Sequence, residues 1–179
     1  MESIKEKLKL IAPELKKELG AKNNLAIPRL VKVVISSGIG SQKDKHRKEL
    51  VFDRLSRISG QKPSLRLAKK AISNFKTRLG DHIGVAVTLR GANMYAFLDK
   101  LIHISIPRMR DFRGLSLKSI DDMGNMTIGI KEHTIFPETA EEDLKDVFGL
   151  AITIVTTAKN KKEATAFFRA MGLPFTRVK

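Results

Sequence analysis

Four histidines, one dense group of carboxylates, a strand-end Gly-x-Gly and a run of unopposed cations are the features of this 179-residue chain that could do chemistry. His46, His82, His103 and His133 make no pair at helical ligand spacing and have no cysteine to join, so no metal site is expected. Gly38 and Gly40 begin a dinucleotide fingerprint, but Lys43 stands where the third glycine belongs. A turn after a strand accounts for both. Glu138, Glu141, Glu142, Asp143 and Asp146 gather around one predicted helix start, where they suit the macrodipole and solvation better than acid–base work. Neither a phosphate-binding P-loop nor a Gly-x-Ser-x-Gly elbow occurs. These observations predict no catalytic residue, no metal and no cofactor: the chain does not read as an enzyme.

The cations are another matter. Thirty-four Lys and Arg oppose 19 Asp and Glu, a formal charge of +15 with an isoelectric point near 10.2. So large a surplus repels itself, and its usual reason is a polyanionic partner. From Arg54 through Gly80 run Arg54, Arg57, Lys62, Arg66, Lys69, Lys70, Lys76 and Arg78, with no acidic residue among them. A merely solvated face would interleave carboxylates over so long a window. Inside it, "NFKTRLGDHIG" places Phe75 between cations, in a chain with nine Phe and one Tyr. The ring is either a stacking platform for an unpaired nucleobase or a hairpin residue folded back onto the core. Asn74, Gly80 and Gly84 tolerate positive φ and let this connection turn sharply. A second basic stretch, "PRMRDFRGL", offers Arg108, Arg110 and Arg113, with Asp111 available to hold one of them.

Around these residues the periodicity predicts the elements that must position them. Ile4, Leu8, Ile11 and Leu15 form the stripe of an N-terminal helix that Pro13 kinks or splits and Gly20 stops. "RLVKVVIS" is a strand, residues 43–58 a helix, 64–68 and 71–75 two short extended runs, and 83–91 a strand. Residues 92–104 form a helix, 107–124 an irregular stretch, "MTIGIKE" and 150–158 two strands, and "NKKEATAFFRAM" a helix with Gly172 beyond its end. The order predicts an α+β fold: a largely antiparallel sheet with helices packed on one face and the other face open to a partner, in a single domain over residues 1–179. The N-terminus has no continuous apolar segment of the signal-peptide kind, and no run of 18 apolar residues occurs, so an intracellular protein is expected.

Several blocks in register, "IPRLVKVVISSGIG", "ISGQKPSLRLAKKAISNFKTRLG", "IGVAVTLRG", "IPRMRDFRGL", "GNMTIGIKEHTIFPE" and "LAITIVTTAK", resemble the bacterial large-subunit ribosomal protein L-five family over nearly the whole chain. The resemblance implies an RRM-like domain, cytoplasmic and ribosome-bound, that binds 5S rRNA in the central protuberance of the large subunit. It implies contacts there with 23S rRNA and neighbouring central-protuberance proteins. By the same resemblance, Gln61, Lys62, Lys69, Lys70, Thr88 and Arg90 meet 5S rRNA. Asn74, Phe75, Lys76 and Arg78 lie on a strand-to-strand finger that touches the P-site tRNA elbow, and Arg108, Arg110 and Arg113 serve a bridge to the small-subunit head protein S-thirteen. The chain departs from the family pattern at Ser36, Ser64, Arg66, Asn74 and Phe148. The rival reading is a non-ribosomal basic adaptor that binds an acidic protein or an anionic membrane surface.

Overall fold

The computed structural model describes residues 3–20, 23–40, 45–140 and 146–176. Residues 41–44, and Glu141, Glu142 and Asp143 of the acidic stretch, lie outside them. Helix α1 spans Ile4–Glu18, strand β1 Leu30–Gly38, helix α2 Lys45–Ser59, β2 Ser64–Leu67 and β3 His82–Leu89. Then come α3 Gly91–Lys100, β4 Met126–Ile130, β5 Leu150–Thr156 and α4 Lys161–Met171. The strands form one five-stranded antiparallel sheet in the order β2-β3-β1-β5-β4, the α+β architecture predicted from the pattern. Packing divides the chain into two compact units: Met1–Val33, Arg90–Ile128 and Thr153–Lys179 in one, Val34–Leu89 and Gly129–Ile152 in the other.

In the first unit α1 packs against α3 and α4. Its start is fixed twice over. Ser3 and Glu6 form a capping box, and the Ile4 amide donates to Asp99 Oδ1 of α3 at 2.7 Å, so a neighbouring helix satisfies one of the orphan donors of the first turn. Asp99→Ala is expected to cost about 1–2 kcal/mol, the range for a lost N-cap acceptor, visible as a lower midpoint in urea with an unchanged slope. Of the two outcomes expected at Pro13, a kink or a split, the split does not occur: α1 runs unbroken through Pro13. Pro13 is exposed, so its ring faces water while Ile4 and Leu15, both nearly inaccessible, seat the helix from either side of it. Gly20 follows the helix at φ +61°, as a C-terminal stop requires. At α4, Asn160 caps the Glu163 amide, and Phe167 and Phe168 meet edge to face at 5.9 Å among the buried side chains. The end of α3 continues as one π-helical turn over Leu101–Ser105, so the helical segment reaches the predicted 104 with a changed hydrogen-bond pattern.

In the second unit α2 packs on β3, and Ile35, Val51, Leu55, Ile58, Val85, Val87 and Leu89 are buried. Strand periodicity explains the division of faces. Ile35 and Ser37 are buried while Ser36 between them is half-buried; in β3 the alternation holds over Val87, Thr88 and Leu89, whereas Val85, Ala86 and Val87 are buried in succession. Strand β2, at the sheet edge, is exposed throughout. The departure at Phe148 has a local partner: its ring stacks on His133 with centroids 4.0 Å apart and planes 14° apart. His133 Nδ1 accepts the Phe148 amide, so both are buried and satisfied rather than poised for chemistry.

Candidate nucleic-acid interface

The connection between β2 and β3 is a hairpin-like finger closed by its own backbone. At its base the Ala68 amide donates to Asp81 O at 2.8 Å and the Gly80 amide to Ala68 O at 3.0 Å. At its tip Ile72 and Thr77 exchange hydrogen bonds of 3.2 and 3.3 Å, with a turn of 3₁₀ helix over Ser73–Phe75 between them. The four residues from base to tip can carry the chain at most roughly 14 Å outward. The predicted extended run at 71–75 is therefore corrected. Ser73 and Asn74 supply turn chemistry, and the apolar letters flanking them do not make a strand. The conformational assignment also changes. The left-handed residues are Lys76, at φ +51°, and Gly80, at φ +88°, whereas Asn74 and Gly84 are not left-handed. Gly84 serves a close approach instead: a Cβ there would sit 3.3 Å from the Ser37 carbonyl oxygen.

Asn74, Phe75, Lys76 and Arg78 are all exposed, and Phe75 keeps 74% of its surface. The ring is not folded onto the core. It lines an open cleft of about 520 Å³ with Ala68, Lys69, Lys70, Ile72, Thr77 and Ile83. Ile72 and Leu79, 45% and 72% exposed, add apolar surface to the same finger. Sequence pattern marks neither as an exposed surface residue: Ile72 reads as part of an extended run, and Leu79 stands between Arg78 and Gly80 without a period to mark it. The Arg78 amide donates to Asp81 Oδ2 at 2.7 Å, which engages the one carboxylate of the finger and braces its return.

The cationic window separates into two parts. Arg54 and Arg57 both bond Asp53 at 3.0 Å, so their charge is partly answered within α2. Lys62, Arg66, Lys69, Lys70, Lys76 and Arg78 are exposed, and among the described residues no carboxylate pairs with their side chains. Gln61 Nε2 donates to Thr88 O at 3.3 Å, and Ser64 Oγ to Ala86 O at 3.0 Å, which ties the start of the window to β3. The structure thus brings Gln61, Lys62, Lys69, Lys70, Thr88 and the four finger residues into one unit. Arg90 belongs to the other unit, as the exposed N-cap residue of α3.

Arg108, Arg110 and Arg113 are exposed on the irregular stretch after the π turn. Asp111 does not hold any of them by an ion pair among the described residues; its own backbone is left-handed at φ +52° and turns the loop. The loop is anchored just beyond, where Leu115 bridges Phe175: the Leu115 amide donates to Pro174 O at 2.7 Å and the Thr176 amide to Leu115 O at 3.0 Å. No three His, Asp or Glu side chains come together as a ligand set among the described residues.

What this arrangement can do is present exposed cations, unpaired among the described residues, and one exposed ring to a flexible polyanion. Comparison with known proteins agrees. The family model described as "Ribosomal protein L5" matches residues 23–78, and the model for the C-terminus of the same ribosomal family matches 82–175, so the boundary between them falls on the return of the finger. The large ribosomal subunit protein uL5 of Mycoplasma pneumoniae is 49% identical over 170 residues, 94% of each chain. That of Synechococcus sp. strain RCC307 is 48% identical over 166 residues, 92% of this chain and 93% of its own. That of Natranaerobius thermophilus is 44% identical over 167 residues, 93% of each. With two family models spanning both sides of the cationic finger and relatives matched nearly end to end, the chain belongs to the ribosomal protein L5 family.

Proposed function

We propose that the protein binds 5S rRNA through Gln61, Lys62, Lys69, Lys70, Thr88 and Arg90, reaches the P-site tRNA elbow with Asn74, Phe75, Lys76 and Arg78, and bridges to S-thirteen through Arg108, Arg110 and Arg113. As a member of its family it is a structural, non-enzymatic constituent of the large ribosomal subunit, ribosome-bound in the bacterial cytoplasm. The finer contacts rest on the residue blocks shared with the family. Contacts with 23S rRNA and neighbouring central-protuberance proteins belong to the same reading. The observation that carries it is the finger: Lys69, Lys70, Lys76 and Arg78, with no carboxylate partner among the described residues, beside an exposed Phe75 on a loop closed by its own hydrogen bonds. A loop already closed loses little conformational freedom on contact.

Replacing Lys76 and Arg78 together with Ala tests the tRNA contact. Chemical footprinting of P-site tRNA in assembled ribosomes is expected to lose its elbow protection while particle assembly proceeds normally. Protection unchanged in normally assembled particles refutes the contact. Phe75→Ala in the same assay separates ring from charge, since a stacked base is worth roughly 1–3 kcal/mol.

A further inference from the structure

Residues 65–83 hold six of the large hydrophobic side chains exposed among the described residues: Leu65, Leu67, Ile72, Phe75, Leu79 and Ile83. So apolar a stretch on a strongly basic surface marks a contact site rather than scattered exposure. RNA accounts for the cations and for the Phe75 ring, but aliphatic side chains offer a base no plane to stack on. The main chain of β2 narrows the choice of partner. Ala86 O accepts from Ser64 Oγ and Thr88 O from Gln61 Nε2, so the even-numbered carbonyls of β3 face β2, while Ile83 O turns the other way to the Ile39 amide. Ser64 and Arg66, opposite Ala86 and Gly84, therefore bond inward, and Ala68 bonds inward to Asp81 and Gly80. Leu65 and Leu67 are left with their N–H and C=O groups turned away from the sheet, on its edge strand. Protection of a bare edge accounts for the shortness of β2, for Arg66 and for the register shift after it. It does not account for leucines at the two outward positions, 44% and 52% exposed.

Beyond Leu67 the chain enters the cleft beside the finger at Ala68, where Ile72, Phe75 and Ile83 are apolar lining, Lys69 and Lys70 supply charge, and no carboxylate is present. We propose that β2 is a docking edge for an extended acidic segment of a partner protein, added antiparallel as a further strand of the sheet. The outward main-chain groups select a polypeptide, since another backbone presents donors and acceptors at the strand repeat. A partner residue opposite Leu65 exchanges both hydrogen bonds with it and points to the same face, so it is apolar. The next partner residue points to the face of Arg66 and carries a carboxylate. Further acidic residues meet Lys69 and Lys70, which have no carboxylate partner among the described residues. Leu65 and Leu67 have no part in the proposed RNA contacts, so this is a protein interface beside them.

The probe is a short synthetic peptide of alternating Glu and Val with blocked ends, titrated against the full chain while amide hydrogen exchange is followed. Binding is expected to slow exchange at the Leu65 and Leu67 amides. N-methylation of the Val amides, which removes the bonds to these leucines, is expected to weaken binding about tenfold, whereas N-methylation of the Glu amides is tolerated. Leu65→Ser/Leu67→Ser is expected to abolish peptide binding and to keep the affinity for 5S rRNA, with a melting curve matching the parent's to show that it is folded. No peptide binding by the parent, unprotected leucine amides, or equal binding by the Val-methylated peptide or by polyglutamate overturns the proposal. So does leucine-dependent binding of phosphatidylglycerol vesicles in place of the peptide. A leucine variant that loses 5S rRNA together with the peptide also overturns it, by placing β2 in the RNA interface. The 5S rRNA reading is tested separately, because Lys62, Lys69 and Lys70 stay intact in that variant.

Discussion

Gly114→Ala is expected to lower the melting temperature by about 6–12 °C, corresponding to a loss of roughly 3 kcal/mol for a chain of this length. Two causes add at this position. Gly114 sits at φ +100°, in backbone space that an L-residue occupies only under strain. Its absent Cβ would also stand 2.5 Å from the Thr176 amide nitrogen and 2.8 Å from both Phe175 C and Thr176 Cα. The obstacle is backbone, so no side-chain rotation relieves it. The Leu115–Phe175 bridge must open, and with it go the hydrogen bonds to Pro174 and Thr176 that tie the arginine-bearing loop to the C-terminal segment. Calorimetry beside Gly129→Ala provides the control, because Gly129 is an exposed strand residue whose added methyl meets nothing within 4 Å. A Gly114→Ala protein melting within a degree of the parent would show that the close approach is not maintained in solution.

The second large effect concerns binding rather than folding. Lys62→Ala/Lys69→Ala/Lys70→Ala is expected to weaken 5S rRNA binding about a hundredfold at 150 mM salt and to flatten the salt dependence by about two to three units of slope, one near 0.7–0.9 for each phosphate released. All three side chains are exposed, so the melting temperature should hardly move. That separation is the useful readout: a variant that loses affinity and stability together would place these lysines in the fold rather than at the interface. Filter binding over a salt series measures both quantities. Affinity for 5S rRNA that stays flat with salt in the parent protein would favour the adaptor reading, and vesicle sedimentation would then identify an anionic membrane partner.

Most elements are legible in the sequence because their apolar residues repeat at one period and end on recognisable stops. Leu8, Ile11 and Leu15 mark α1, the alternating valines and isoleucines mark β1, β4 and β5, and Gly172, at φ +99°, closes α4 as predicted. Pro13 misleads only as a possible split, since a proline on the solvent side of a helix packed from both ends interrupts one hydrogen bond without breaking the element. Residues 71–75 mislead for the opposite reason: Ile72 and Phe75 are strand-forming types, yet here Ile72 precedes a tight turn, Phe75 is its last residue, and both are exposed. The cations are legible as a block, but their division is not. That Asp53 answers Arg54 and Arg57 depends on helical spacing and on side-chain reach, which composition does not carry.

Position 76 holds a lysine where the turn geometry favours glycine. A left-handed lysine costs about 1 kcal/mol relative to glycine, so selection for thermal robustness alone would drift this position toward glycine and erase a positive charge inside the turn that the Ile72–Thr77 bridge closes. On the proposed tRNA contact, thermostabilising libraries of this protein should therefore enrich for variants that survive heating and lose part of that contact, a conflict between durability and performance confined to one codon.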